Sequence, residues 1–157
     1  WSFESLAEGT TEVEGFTVLA REIPHKGGRT FGYRVSDGTS ALAYLSDHAP
    51  QNIGPGEDGL GEYHAAARDL VDGVDVLIHD GQYTAAELST RGYFGHAAAE
   101  YAAALAKECG ARRLLLFHHD PSRTDPEVDD LLAGVRSTAK VPVDVARELQ
   151  VVDTAGR

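Results

Sequence analysis

The sequence contains no methionine, one cysteine and one tryptophan in 157 residues. A single cysteine, Cys109, excludes an intrachain disulfide, which is typical of a cytoplasmic protein. Because methionine is lacking, we expect a processed product or a fragment of a longer protein. The chain also has no apolar run near the roughly 20 residues that a membrane helix needs. We therefore expect no membrane partner.

Positive charge is scarce as well. Lys and Arg number 14 against 25 Asp and Glu, which gives a formal net charge of −11. A chain of this charge is poorly attracted to a phosphate backbone at long range, so nucleic acid is predicted to be an unlikely partner. A hydrophobic content of 42% supports a sizeable core, and the length fits one domain over residues 1–157.

The hydrophobic patterning predicts an α/β domain with a mixed sheet, because antiparallel strands precede alternating strands and helices. The predicted strands are 14–22, 30–36, 41–45, 74–78, 113–117, 143–145 and 150–152. The predicted helices are 62–70, 97–108 and 124–138, with a helical turn at 84–88 and a Gly-rich loop at 52–61. The first strand is expected to leave an unpaired sheet edge at residues 13–22.

Four short segments share one feature, an apolar approach that ends in histidine or aspartate. They end in His25, in Asp47-His48, in His79-Asp80 and in His118-His119-Asp120. Four such strand ends in one small domain predict a shared polar site, and this is the ligand set of a hydrolytic metal centre. Because successive side chains of a strand point to opposite faces, His118 and His119 are not both expected to face that site.

These segments resemble the C-terminal half of metallo-β-lactamase-fold hydrolases, in the branch that includes ribonuclease Z and related phosphodiesterases. The resemblance covers about residues 13–123. It is carried by His25 before Phe-Gly-Tyr-Arg, Leu45-Ser46-Asp47, Val76 to Asp80, Gly95-His96 before a helix, and Leu114 to His118. The implied fold is an αββα sandwich with a mixed sheet flanked by helices, of which this chain would form the C-terminal half.

The resemblance also implies site roles. His25 would bind one metal ion, His118 would bind another, and Asp47 would bridge them. His96 would protonate the leaving group or hold the scissile phosphate. The side chains expected behind these ligands or against the substrate are His48, Asp80, His119 and Asp120. The cofactors would be two divalent ions, most simply zinc, with manganese or iron as alternatives.

One family motif, His-x-His-x-Asp-His, is absent, because no two histidines are separated by one residue. In that family the motif lies on the N-terminal half. If that half belongs to the same or another chain, the protein is a metal-dependent hydrolase, most plausibly a phosphodiesterase for a small phosphodiester. The alternative is a metal-poor half-domain that acts as an interaction module and docks a separate N-terminal half. A homo-oligomer is a further alternative, and His64 is expected to be merely exposed.

Overall fold

The computed structural model describes residues 5–154 and contains one mixed sheet in which each strand pairs with its neighbours in sequence. The strands are β1 (Gly9–Val13), β2 (Phe16–Ile23), β3 (Thr30–Ser36), β4 (Ala41–Leu45), β5 (Val76–Asp80), β6 (Leu114–Phe117) and β7 (Val143–Val145). The helices are α1 (Ala65–Val71), α2 (Ala85–Arg91), α3 (Ala99–Glu108) and α4 (Asp125–Thr138), with 3₁₀ turns at Pro50–Asn52 and Gly92–Phe94.

Strand direction follows from the length of each connection. β1 to β4 are antiparallel and joined by short turns, whereas β4 to β7 are parallel and joined by segments that contain helices. Asp37 closes the hairpin between β3 and β4 by accepting the backbone N–H groups of Thr39 and Ser40, each at 2.8 Å. The predicted mixed sheet with flanking helices is therefore confirmed.

One side of the sheet, here called the covered face, carries the core. The strand register aligns Leu45, His79 and Leu116 on this face, and these side chains are fully buried. They belong to the side against which α1, α3 and α4 pack. Gly32 lets α1 approach closely, since a Cβ there would lie 2.6 Å from Leu70 Cδ1.

The opposite side, here called the open face, is apolar but only half-buried. The register aligns Tyr33, Tyr44 and Ile78 across β3, β4 and β5. The partly exposed apolar side chains on this face are Val18, Phe31, Tyr33, Val35, Leu42, Tyr44 and Ile78, with Val13, Phe16 and Phe117 more exposed still. A contiguous exposed apolar patch of this kind is typical of an interaction surface.

The structure corrects two predictions at the sheet edges. β2 is not an edge strand, because β1, which was not predicted, pairs with residues 16–20. Residues 17–20 are therefore paired on both sides. Glu14 and Gly15, with φ of 48° and 88°, form the two-residue turn of that hairpin, which Glu-Gly signals only weakly. The strand predicted at 150–152 is wrong, since these residues are irregular and Val151 is almost fully exposed.

The helix ends agree with their sequence signals. Thr124 and Glu127 form a capping box at the start of α4, with Pro126 in the first turn, as the sequence predicts. A second capping box, formed by Thr84 and Glu87, starts α2. Within residues 5–154 no helix combines the length and the apolar character needed to cross a membrane.

Candidate metal centre

The site residues meet because four strands point the same way. β2, β4, β5 and β6 share one direction, so their C-terminal ends lie along one edge of the sheet. His25, Asp47 and His118 follow the ends of β2, β4 and β6, and Asp80 is the last residue of β5. This edge is where open α/β sheets place their binding sites.

Asp47 lies between two imidazoles. Its Oδ1 is 3.8 Å from His25 Nε2 and 3.6 Å from His118 Nε2. Two ligands that each lie about 2 Å from a zinc ion are roughly 3–4 Å apart, so both separations leave room for a shared ion. His96 joins the group, since ligand atoms of His25, Asp47 and His96 all lie within 4.8 Å of one another. The donors therefore fit divalent metal.

Two of these residues have a backbone conformation that non-glycine residues rarely adopt. Asp47 has φ of 52° and His118 has φ of 56°. Left-handed φ in residues other than glycine costs free energy and is concentrated at functional sites. At His118 this conformation also ends the extended strand. The rule that successive side chains of a strand point to opposite faces therefore does not apply to His118 and His119.

The ring nitrogens of the two expected ligands are oriented by hydrogen bonds. His25 Nδ1 lies 2.7 Å from the carbonyl of Gly95, which can only accept, so Nδ1 carries the proton. His118 Nδ1 lies 2.8 Å from Ser46 Oγ, which itself donates to Asp47 Oδ2 at 3.3 Å. In both rings Nε2 is the nitrogen that faces Asp47 and the one that a metal ion there would meet.

His96 is held by a buried carboxylate. Its Nδ1 lies 2.7 Å from Oδ2 of Asp80, whose oxygens also accept the backbone N–H groups of His48 and Gln82. Burial disfavours the charged imidazole, but the hydrogen bond and charge of Asp80, with weaker help from Asp47, raise the pKa of His96 above its usual value. The ring stacks on His118 with centroids 4.9 Å apart. His96 is thus suited to carry a proton beside the ligands.

Three further histidines form a chain through the covered side. His64 Nδ1 accepts the N–H of Ala67, so its Nε2 donates to His48 Nε2 at 2.9 Å. His48 Nδ1 then donates to His79 Nε2 at 2.9 Å, and His79 Nδ1 donates to the Asp80 carbonyl. Burial lowers the pKa of all three rings, most strongly for His48. These three histidines are therefore neutral. The expectation that His64 is merely exposed is wrong, because its ring hydrogen-bonds to His48.

The remaining candidates lie further back. Asp120 pairs with Arg91 at 2.7 Å and accepts both hydrogen bonds of Ser122, so it closes a turn. The pKa of His119 is lowered by burial first and by the charge of Arg123 second. His48 joins the histidine chain, and Asp80 holds His96. Of the four residues expected behind the ligands, Asp80 therefore contacts the site most directly.

Sequence reasoning did not assign roles to Ser46 and Gly95, which orient His118 and His25. Ser46 precedes Asp47 and is a common hydrogen-bonding residue, but nothing in the sequence pairs it with His118. Gly95 acts through its carbonyl, which every residue has. The position requires glycine, because φ is 95° and a Cβ there would lie 2.6 Å from Lys26 Cβ.

This fold has counterparts among known proteins. The family model of the beta-lactamase superfamily domain matches residues 3–119, which is most of the chain. The chain belongs to this superfamily. Its homologues place it in the ribonuclease Z branch of the metallo-β-lactamase fold, as the sequence motifs indicate.

Two curated relatives extend over nearly the whole chain. Ribonuclease BN of Escherichia coli is 35% identical over 142 residues, which are 86% of this chain and 38% of that protein. Ribonuclease Z of Streptococcus suis is 27% identical over 155 residues, which are 93% of this chain and 48% of that protein. This chain thus spans half or less of the length of these relatives.

Solved structures confirm the fold. The metallo-beta-lactamase fold protein YhfI from Bacillus subtilis aligns with a TM-score of 0.68 at 20% identity, over 88% of this chain and 50% of that chain. The short form of human tRNase Z aligns with a TM-score of 0.66 at 23% identity, over 92% of this chain and 44% of that chain. The predicted fold family is therefore correct.

Proposed function

We propose that this chain carries one half of the active site of a metal-dependent phosphodiesterase. The observation that carries the proposal is the position of Asp47, whose Oδ1 lies within 3.8 Å of imidazole nitrogens from two remote strand ends. His25 and His118 both direct Nε2 at it. The roles predicted for these three residues rest on this geometry.

The proposed cofactors are two divalent ions, with zinc favoured by the imidazole and carboxylate donors. His25 would hold one ion, His118 the other, and Asp47 both. Bound there, the ions would supply an activated water and would stabilise charge on the substrate oxygens. These residues give each ion about two protein ligands, fewer than the three of a usual catalytic site. Further ligands are therefore proposed to come from another segment.

His96 is proposed as the group that supplies the proton to the leaving oxygen. Asp80 Oδ2 holds Nδ1 at 2.7 Å and raises the pKa of His96, so Nε2 is the atom that would carry the transferable proton. A general acid works best when its pKa lies near the operating pH. The stack with His118 keeps the ring beside the ligands.

The substrate is proposed to be a small or short phosphodiester. The curated relatives are named ribonucleases, which supports a phosphodiester and puts in doubt the expectation that nucleic acid is an unlikely partner. The net charge of −11 still disfavours a large folded RNA, because such a surface gives little attraction to many phosphates.

Asp47→Ala tests the centre. The unsubstituted chain, coexpressed with the segment proposed to supply the further ligands, is the reference. We expect the variant in that assembly to lose bound metal and hydrolysis of bis(p-nitrophenyl) phosphate, because both proposed ions share this carboxylate. Metal content after dialysis and the rate of nitrophenol release are the measurements. Asp58→Ala is the matched control, since Asp58 lies in the Gly-rich loop and only accepts the N–H of Leu60. Turnover that persists in Asp47→Ala rules out the bridging role.

We also propose that the open face packs against a second sheet layer, the N-terminal half that carries the His-x-His-x-Asp-His motif. Three observations support this: the face is apolar and half-buried, the chain spans half or less of its relatives, and the ligands are too few. The layer belongs to the same polypeptide or to another chain.

Hydroxyl-radical footprinting tests the second layer, once the upstream reading frame has been determined and the preceding segment is coexpressed. We expect Tyr33, Tyr44 and Phe117 on the open face to lose reactivity when that segment is present, while Leu149 in the exposed tail keeps its reactivity. Unchanged tyrosine reactivity would contradict the proposal. Protection without bound metal or hydrolysis would instead favour the non-catalytic interaction module.

A further inference from the structure

Two neighbouring aromatic side chains are unusually exposed beside the candidate metal centre. Tyr93 is 65% exposed and Phe94 is 48% exposed. Their rings lie against each other, with centroids 4.1 Å apart and planes tilted by 32°. The two rings form an exposed aromatic pair, here called the aromatic surface, although burial of either ring would have been favourable.

The turn that carries these rings is fixed to the centre. Tyr93 and Phe94 belong to the 3₁₀ turn that ends at Gly95, immediately before His96. The carbonyl of Gly95 orients His25. The backbone at Gly95 packs against Lys26, since a Cβ on Gly95 would lie only 2.6 Å from Lys26 Cβ. The aromatic surface therefore has a defined position relative to both His25 and His96.

A positive charge lies over this surface. Lys26 follows His25, and its Nζ is 5.4 Å from the centroid of the Tyr93 ring. In residues 5–154 no carboxylate forms an ion pair with Lys26, although the whole chain carries a charge of −11. An ammonium group without a carboxylate partner, next to an aromatic face and a metal centre, suits a ligand that combines phosphate with a flat ring.

We propose that Tyr93, Phe94 and Lys26 form a stacking subsite for the nucleobase attached to the scissile phosphate. The inference rests on the proposed function and narrows its substrate to phosphodiesters of nucleotides. The base stacks on the aromatic rings, and Lys26 contacts a phosphate oxygen. Stacking on aromatic rings tolerates any base, because every base has a π face, so the subsite selects nucleotides without reading sequence.

The test compares the binding of adenosine 5′-monophosphate with that of ribose 5-phosphate, which lacks the base, by calorimetry in the presence of zinc. We expect the nucleotide to bind at least about fivefold more tightly, the smallest effect usual for one stacked base. The double variant Tyr93→Ala, Phe94→Ala should bring the two affinities within about twofold. Tyr93→Phe should keep the preference, since it keeps the ring.

Leu149→Ala is the control, because Leu149 is 96% exposed but lies in the C-terminal tail, outside both the open face and the aromatic pair. It should leave the preference for the nucleotide unchanged. Equal affinities in the unmodified chain, or a preference that survives the double variant, would overturn the subsite. So would footprinting in which the upstream segment protects Tyr93, because a polypeptide would then occupy the rings.

Metal content and hydrolysis of bis(p-nitrophenyl) phosphate, measured on the chain coexpressed with the upstream segment, separate this inference from the proposed function. Metal and turnover without base preference would overturn the subsite alone. Base preference without metal or turnover would overturn the phosphodiesterase and leave a nucleotide-binding surface.

Discussion

The two faces of the sheet differ in how completely they are buried, although the same strands build both. In β5, Leu77 points to the covered face and is fully buried, whereas its neighbour Ile78 points to the open face and is only half-buried. Both side chains are large and aliphatic. The difference arises because α1, α3 and α4 cover one face of the sheet.

This contrast indicates that the covered face contributes most of the hydrophobic stabilisation of the chain. Burial of apolar area stabilises by about 25 cal/mol per Å², so a half-covered face contributes less than a covered one. An apolar open face in a chain with charge −11 supports the proposed second layer, since solubility alone would favour polar residues there.

The largest expected effect is on the covered face. Leu77→Ala should lower the free energy of unfolding by about 2–5 kcal/mol, because it removes buried methyl groups and leaves a cavity. Ile78→Ala, one residue away, should cost less than half as much, since solvent already reaches that side chain. Urea denaturation followed by circular dichroism gives both values. Equal losses would remove the distinction between the faces.

A second effect concerns the histidine chain in the covered side. His48, His64 and His79 have pKa values below the usual value of about 6.5, whereas the unfolded chain has the usual value. Below pH 6.5 the unfolded state therefore binds more protons, and stability falls as pH falls. We expect the melting temperature, measured in a chelator, to decrease from pH 8 to pH 5.5.

His96 acts in the opposite direction, which provides a control. Because its folded pKa is raised, its contribution is present below about pH 6.5 and is lost as pH rises through the folded value. His96→Gln should therefore make the acid loss of stability steeper. A melting temperature that stays constant between pH 8 and pH 5.5 in this variant would contradict the neutral histidine chain.

The smallest expected effect is on the open face. Phe16→Ser should change the free energy of unfolding by no more than about 0.5 kcal/mol, as is usual for exposed positions. If the upstream layer docks there, the same substitution should weaken that assembly, because an aromatic contact is lost. Sedimentation velocity with and without the upstream segment gives the comparison. A large loss of stability in the isolated chain would show that Phe16 already packs within it.

Much of the fold was predictable from local patterns. The runs that became β5 and β6 are strongly apolar, and Thr124 with Glu127 marks the start of α4. β1 was missed because its residues are mostly exposed and polar, so pairing with β2 rather than its own pattern makes it a strand. The predicted strand at 150–152 failed for the complementary reason, since apolar residues there have no pairing partner within the described chain.

Part of the candidate site was predictable from local motifs and part was not. His25, Asp47, His96 and His118 were predicted from motifs, and the structure brings them together. The histidine chain from His64 to His79 was not predicted, because its three members are far apart in sequence and meet only through packing.

The amino-acid sequence by itself determined which segments form most of the strands and helices, which residues supply imidazole and carboxylate groups, and the negative charge. These features depend on residue identity and local spacing. Only the tertiary structure decided which nitrogen of each ring faces Asp47, which face of the sheet is left open, and which carboxylate holds His96. Those outcomes depend on groups distant in sequence, such as Gly95 for His25 and Asp80 for His96. Local patterns cannot specify such partners, since any residue has a carbonyl and many acids follow strands.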